Sequence, residues 1–429
     1  VSTVRLSPPD GAIDASVPVP GSKSVANRAL VCAALAPFGS SSRVTNVPAG
    51  DDCVAMLRAL ESVGARDAST VRGGLLPGDA RVFDAGIAGT TSRFLTAVCA
   101  LSAGGAVIDG GEPLRQRPMA DLHDALRRLG ADVAPVDGAA PGHLPVRVAA
   151  GTVSGGTVRV RGDVSSQFVS ALMLVAPRLV GGLRIDVDGE MVSRPYVEMT
   201  ARVMSAFGAV VRVTGQSVEV DEVPYVGTDY EVEPDFSSAA FPVMSLAFRP
   251  GRVHLPGLGR ATLQGDSVVL DIARRMGMSV ERTGHDITVR RGAGDLLSPV
   301  SVDLSDASDL VPAVAVACTH IPGTSAITGV GFIRAKESDR LGDLAHELNS
   351  GGCAVTVDRD GLTVVGTPEA GAFQGPFATH HDHRLAMAFA LLSLGRGPCS
   401  VADADVVSKS WPSYFRDMAG VLGVPAGLN

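Results

Sequence analysis

The sequence predicts an α/β protein of two similar domains, each built from three copies of one unit around buried helices. Three observations predict it. A helix that ends in glycine and runs on into a strand occurs six times. A second, almost wholly apolar helix also occurs six times, each time after a polar start. Both recur with a period of about 70 residues along a chain of 429, which is too long for one ordinary core.

The glycine-closed helices are MLRALESVGA (56–65), LHDALRRLGADV (122–133), ARVMSAFGAVVRV (201–213), LDIARRMGMSV (270–280), LAHELNSGGCAVTV (344–357) and YFRDMAGVLGV (414–424). Gly64, Gly130, Gly208, Gly277, Gly352 and Gly423 read as C-caps, because glycine accepts the left-handed conformation that closes a helix. The apolar helices start near Ser24, Thr91, Ser166, Ser237, Asp309 and Asp382, at spacings of 67, 75, 71, 72 and 73 residues. Ser, Thr and Asp can cap a first turn. Interiors such as NRALVCAALA and RLAMAFALLSL are apolar all round and are therefore expected inside. VRVRG (158–162), LRIDVDG (183–189), VVRVTG (210–215) and HDITVRR (285–291) alternate as strands do. Six units divide into two domains of three, with the boundary in the acidic, Pro-containing run YEVEPDFSS (230–238). The polar helix starts would then gather at one end of each domain, where free N–H groups and aligned peptide dipoles attract anions. A cleft between two such ends would suit a multiply charged anion.

Lys plus Arg is 37 and Asp plus Glu is 45, a net charge of -8, which argues against nucleic-acid binding and directs attention to local clusters of cations. Six cysteines without a CxxC pair fit neither a disulfide framework nor a zinc site. There is no run of 18 apolar residues and no signal-peptide core in VSTVRLSPPDG, so the expectation is a cytoplasmic protein that does not span a membrane.

The cations lie at the starts of elements. PGSKSVANRAL (20–30) places Lys23 and Arg28 beside Ser22 and Ser24; a lysine there opposes the helix dipole unless an anion meets it. AGIAGTTSR (85–93) allows backbone N–H groups to approach an oxyanion closely, and is not a Walker loop. GEPLRQRP (111–118) carries Arg115 and Arg117, DVSSQF (163–168) carries Ser165, Ser166 and Gln167, and VSRPY (192–196) carries Ser193, Arg194 and Tyr196. Asp309 in SDASDLVP (305–312) would suffice as a helix cap alone. RAKESDRL (334–341) gathers Arg334, Lys336, Glu337, Asp339 and Arg340, and VVSKSWPSYF (406–415) adds Lys409. The three histidines of THHDHRLAMAF (379–389) suggest a metal tract, but Asp382-His383-Arg384 abuts a buried helix, so the groups would not all converge. Asp309 and Glu337 share these termini with an excess of cations and are the acid–base candidates. With no dinucleotide fingerprint and no G-x-S-x-G elbow, the chemistry reads as metal-free and cofactor-free, on a phosphorylated or carboxylated small molecule.

In combination and in order, from PGSKS to KSWPSYF, these segments resemble the 5-enolpyruvylshikimate-3-phosphate synthase family, the 3-phosphoshikimate 1-carboxyvinyltransferases. The resemblance implies three βαβαββ units per domain, an inside-out α/β barrel. It implies one domain of residues 21–234 and another of residues 1–20 plus 235–429. It implies transfer of the enolpyruvyl group of phosphoenolpyruvate to the 5-hydroxyl of shikimate 3-phosphate, through a tetrahedral intermediate, with release of inorganic phosphate. Lys23, Ser24, Arg28, Ser165, Ser166, Gln167, Ser193 and Tyr196 would hold shikimate 3-phosphate. Gly89, Arg117, Gln167, Arg340, Arg384 and Lys409 would hold phosphoenolpyruvate, with Lys336 beside them. Asp309 would be the base, Glu337 the acid, and Lys23 would reach the reacting centre. The resemblance also implies a monomer inhibited by glyphosate in the phosphoenolpyruvate site. Two positions depart from the common pattern: Ile87 and Phe332 stand where many members have Asn. The related UDP-N-acetylglucosamine enolpyruvyl transferases are less similar, since Glu112 stands where they carry a reactive Cys.

Overall fold

A computed structural model describes residues 2–67, 69–74, 81–102 and 104–423. The chain divides into two compact units, Gly21–Val232 and Val1–Pro20 with Glu233–Asn429.

One wiring recurs in both. The strand Gly156–Arg161 runs parallel to Leu183–Asp188, which pairs antiparallel with Ser217–Val220, which in turn pairs antiparallel with Val211–Thr214. The helices Ser166–Val175 and Arg194–Ala206 fall between these strands in the chain, giving βαβαββ. Each of the five four-stranded sheets among the described residues repeats the parallel, antiparallel, antiparallel sequence. Two of them take their first strand from a distant segment. Tyr230–Glu231 lies parallel to Ser41–Thr45, and Ile13–Ser16 lies parallel to Gly251–Leu255. The N-terminal segment also contributes Val4–Leu6, antiparallel to Cys399–Val401. Burial alternates along strands such as Leu183–Asp188, so each sheet turns one face inward and one to solvent.

The inward faces cover the apolar helices. Lys23–Leu35, Gly89–Cys99 and Ser166–Val175 pack on one another in one unit. Phe236–Ser245, Val311–Cys318 and His383–Leu391 do so in the other. All six expected cap glycines have positive φ, from 65° at Gly423 to 105° at Gly277, where a Cβ would be strained. The segment before Gly423 is two short helices, Tyr414–Asp417 and Ala419–Leu422, and the strand expected beyond it lies outside the described residues.

Helix capping differs from expectation. Side-chain caps form at Ser165, Asp235 and Asp382. Ser24, Thr91 and Ser237 lie inside their helices, and Asp309 sits in a 3₁₀ turn before Val311–Cys318. Three of these side chains are committed to neighbouring segments instead: the Thr91 hydroxyl donates to Asp52 O at 2.7 Å, the Ser237 hydroxyl donates to Asp266, and Asp309 accepts from three cations. The opposite ends of the buried helices carry arginines, as their dipoles favour. Arg178 donates to Leu35 O, Arg291 to Leu246 O and Ala247 O, and Arg249 to Leu394 O, all at 3.0 Å.

Candidate active site

In the Gly21–Val232 unit the starts of the three buried helices are tied together. Lys23 forms an ion pair with Asp52 at 2.7 Å, and the backbone of Asp52 receives Thr91. Asp52 lies in the first turn of Asp51–Ser62, where the helix dipole favours a carboxylate. Gly89 opens its helix under two guanidinium groups: a Cβ there would lie 2.6 Å from Arg93 Nη1 and 2.8 Å from Arg117 Nη1. Arg93 also donates to Pro118 O and lies over the Phe168 ring. Ser165 caps the Ser166–Val175 helix, and the Gln167 side-chain oxygen is buried there.

Arg28 turns inward, 1% exposed. Its fork donates to Thr200 Oγ1 at 2.7 Å, Ser24 O at 2.7 Å, Ser170 Oγ at 3.1 Å and Tyr196 O at 3.4 Å. Burial pushes its pKa down to about 10, which still leaves it charged at neutral pH. It therefore braces three helices with a fixed positive charge. Ser193 has φ 54° just before Arg194–Ala206, and the Tyr196 ring lies 6.0 Å from the Arg28 guanidinium. Arg115 is spent on Asp109 and Arg194 on Glu198, both at the surface.

The second unit brings six of the expected residues into one network. Arg340, 1% exposed, is its hub. It donates to Asp382 through Nε at 2.6 Å, to Asp309 through Nη1 at 2.8 Å and to Glu337 through Nη2 at 2.8 Å. Asp309 also accepts from Lys336 Nζ and Arg384 Nη2, each at 2.8 Å. Lys409 Nζ reaches Glu337 at 3.1 Å, and Lys336 Nζ lies 5.8 Å from the centre of the Phe332 ring. Burial would raise the Asp309 carboxyl, but Arg384, Lys336 and Arg340 outweigh it and hold the group well below the usual carboxylate range. Arg340 moves the other way. Burial opposes its charge, yet Asp382, Glu337 and Asp309 together raise it well above its ordinary value. Burial is also the main cause that lowers Lys336.

Three contributors were not among the expected site residues: Asp52, Arg93 and Asp382. Arg93 and Asp382 stand within motifs already singled out, and Asp52 carries only the ordinary signal of an acidic first turn. Among the described residues no three His, Cys, Asp or Glu side chains are placed to hold a metal ion. His380 instead contacts Glu347 at 2.8 Å, while His383 is fully buried. No described helix is long and apolar enough to cross a membrane.

The fold is that of the enolpyruvyl transferases. The enolpyruvyl transferase NikO from Streptomyces tendae superposes with a TM-score of 0.73 over 98% of this chain and 97% of its own, and at 18% identity this speaks to the fold alone. EPSP synthase from Acinetobacter baumannii superposes with a TM-score of 0.80 at 26% identity, over 97% of this chain and 98% of its own. Residues 8–418 match the family model of EPSP synthase (3-phosphoshikimate 1-carboxyvinyltransferase). The 3-phosphoshikimate 1-carboxyvinyltransferase of Methanothermobacter thermautotrophicus is 40% identical over 95% of this chain and 96% of its own. That of Erwinia tasmaniensis is 35% identical over 96% and 97%. The chain belongs to the EPSP synthase family.

Proposed function

We infer that this chain has the activity for which its relatives are named. It moves the 1-carboxyvinyl group of phosphoenolpyruvate to the 5-hydroxyl of shikimate 3-phosphate, a step of the shikimate pathway, and releases inorganic phosphate. The observation that carries the assignment of roles is the Arg340 hub, which fixes Asp309 and Glu337 among Lys336, Arg384 and Lys409.

Asp309 is the base. Its three cations keep it ionised, so it is ready to accept the proton of the attacking hydroxyl. Glu337 is the acid that protonates the methylene carbon. Arg340 Nη2 and Lys409 Nζ contact its carboxylate at 2.8 and 3.1 Å. A phosphate or carboxylate that takes over those cations raises its proton affinity, so substrate binding itself loads the acid. The same cations, with Arg384, then stabilise the charge that builds on the phosphate as the tetrahedral intermediate collapses. Arg117 and the backbone at Gly89 hold phosphoenolpyruvate with Gln167. Lys23, Ser24, Ser165, Ser166, Ser193 and Tyr196 hold shikimate 3-phosphate, with Arg28 as the fixed charge behind them. Glyphosate competes for the phosphoenolpyruvate subsite, and the protein works as a cytoplasmic monomer.

The test is inorganic phosphate release that requires both phosphoenolpyruvate and shikimate 3-phosphate. Release with UDP-N-acetylglucosamine in place of shikimate 3-phosphate would overturn the acceptor assignment.

A further inference from the structure

We propose that His380 is a positioning residue: bound to Glu347, it holds a left-handed turn of two residues that delivers Asp382 to Arg340 and Arg384 to Asp309. The inference rests on Arg340 and Arg384 holding phosphoenolpyruvate.

The backbone singles this turn out. His380 has φ 49° and His381 φ 59°, the one pair of consecutive non-glycine residues with positive φ among the described residues. The left-handed region crowds the Cβ of an L residue, so a chain adopts it twice running only where its surroundings impose it. Those surroundings are specific. Upstream, Phe377 N donates to Ser400 O at 2.8 Å and Ala378 N to Glu347 Oε2 at 2.9 Å. His380 Nε2 meets the other carboxylate oxygen, Glu347 Oε1, at 2.8 Å, and His380 Nδ1 lies 3.7 Å from Asp343 Oδ1. Downstream, Asp382 N closes the turn on Thr379 O at 2.8 Å. Glu347 is 8% exposed, on the helix Gly342–Ser350.

That helix begins just after Arg340. The two segments are therefore joined twice, by Arg340 with Asp382 and by Glu347 with His380. Only the first join belongs to the charge network of the site. The second decides where the first can form, because His380 and His381 lead straight into Asp382. Without the Glu347 contact the turn can relax out of the left-handed region, and the helix start at Asp382 moves with it. Arg340 and Arg384 then stand in place for only part of the time, and the apparent affinity for the anion they hold falls by that fraction. One hydrogen bond to a carboxylate sets the scale, about tenfold.

His380→Ala removes the contact. The Michaelis constant for phosphoenolpyruvate should rise about tenfold. That for shikimate 3-phosphate, assigned to side chains of the other unit, should stay unchanged. His381→Val puts a β-branched side chain on the second left-handed position and should raise the same constant alone. His381→Gly removes the crowding there, so adding it to His380→Ala should restore most of the loss. A lower melting temperature with both constants unchanged, a rise of both constants together, or no rescue by His381→Gly would overturn the inference. If His380→Ala does not fold, equal constants for phosphoenolpyruvate in His381→Val and His381→Gly do so alone. Arg384→Lys, assayed alongside, tells the two readings apart. A raised constant for phosphoenolpyruvate there, with none in His380→Ala, sinks only the positioning role. An unchanged constant in Arg384→Lys sinks the assignment of Arg384 to that substrate.

Discussion

Arg340 grips Asp382 through two of its nitrogens, Nε to Oδ2 at 2.6 Å and Nη2 to Oδ1 at 3.3 Å, with both side chains withdrawn from solvent. Asp382 also caps the His383–Leu391 helix by accepting from Arg384 N at 2.9 Å. One carboxylate thus fixes the hub arginine and the helix that delivers Arg384. Removing one partner of a buried ion pair leaves the other uncompensated and costs about 3–5 kcal/mol. Asp382→Ala should lower the urea midpoint accordingly, while Asp163→Ala, at an exposed pair with Arg161, should leave it almost unmoved. A small effect at Asp382 would show that Asp309 and Glu337 anchor Arg340 without it.

Arg340→Lys should not rescue the hub. A single ammonium cannot serve three carboxylates at the angles a guanidinium reaches. The expected outcome is a folded protein with turnover reduced by about 10²-fold or more, a loss on the scale of one electrostatic contact to developing charge. Near-normal steady-state kinetics in this variant would reduce the hub to a structural ornament of the fold.

Asp309→Asn and Glu337→Gln should each cut turnover by roughly 10²–10⁴-fold, because each removes a proton-transfer group. Asp309→Asn also takes negative charge from among Lys336, Arg340 and Arg384. Those cations then repel one another in the unliganded protein, so its melting temperature should fall. Inorganic phosphate at high concentration should restore more of that stability in the variant than in the wild type, since an anion bound only by the folded state stabilises it. Equal responses of the two proteins to phosphate would argue against a mutual anion–cation balance at this site.

Much of the fold was legible because its signals are local. A glycine closing a helix needs φ > 0 whatever surrounds it, and all six do. Apolar helices at a fixed period can only pack inside a repeated unit. The cation set was legible for a similar reason, since Lys336, Glu337 and Arg340 share one short run. The partners were not. Asp52 meets Lys23 across 29 residues, and Asp382 meets Arg340 across 42. Sequence shows each of them as an ordinary helix-start acid, and only tertiary packing makes them counter-ions. Arg28 shows the same limit in reverse: its charge is plain in the sequence, but its inward direction is set by Thr200 and Ser170, from elements far along the chain.

Acid should destabilise the protein partly through His123. This side chain is 1% exposed, and burial, then Arg127, lower it to about 4. The unfolded chain takes a proton near pH 6.5, whereas the folded chain does not until about 4. Between those values the unfolded state binds more protons, so stability falls as pH falls from 6.5, and the cost is complete below about 4. His320, lowered by burial and by Arg291 and Arg396, acts in the same direction. At pH 5 the cost from His123 should be about 2 kcal/mol. His123→Leu should therefore lose about that much less stability than the wild type between pH 7 and pH 5 in urea titrations. Parallel losses in the two proteins would mean that His123 is protonated in the folded state.

Gly89→Ala tests the wall of the proposed phosphoenolpyruvate subsite. Gly89 is the first residue of the Gly89–Cys99 helix, and its φ is not in the left-handed region, so alanine is compatible with its backbone. The added methyl would meet the far ends of two side chains, Arg93 Nη1 at 2.6 Å and Arg117 Nη1 at 2.8 Å, rather than backbone. Flexible ends can move, so the variant should fold, with a melting temperature close to that of the wild type. What moves, however, includes Arg117, the cation proposed to hold the substrate anion. Overpacking of this kind costs about 1–3 kcal/mol, or roughly 5- to 150-fold in affinity. The Michaelis constant for phosphoenolpyruvate should rise within that range. Glyphosate is slightly longer than the substrate and has less room to follow the displaced guanidinium groups, so its inhibition constant should rise by the larger factor. The decisive quantity is the mutant-to-wild-type ratio for each ligand, because Ile87 in this turn already departs from the common pattern. A well-folded variant in which both constants rise equally would place the whole effect on the shared cations and none on the wall. A variant that fails to fold would mean that Arg93 and Arg117 cannot yield, contrary to their placement at the ends of flexible side chains.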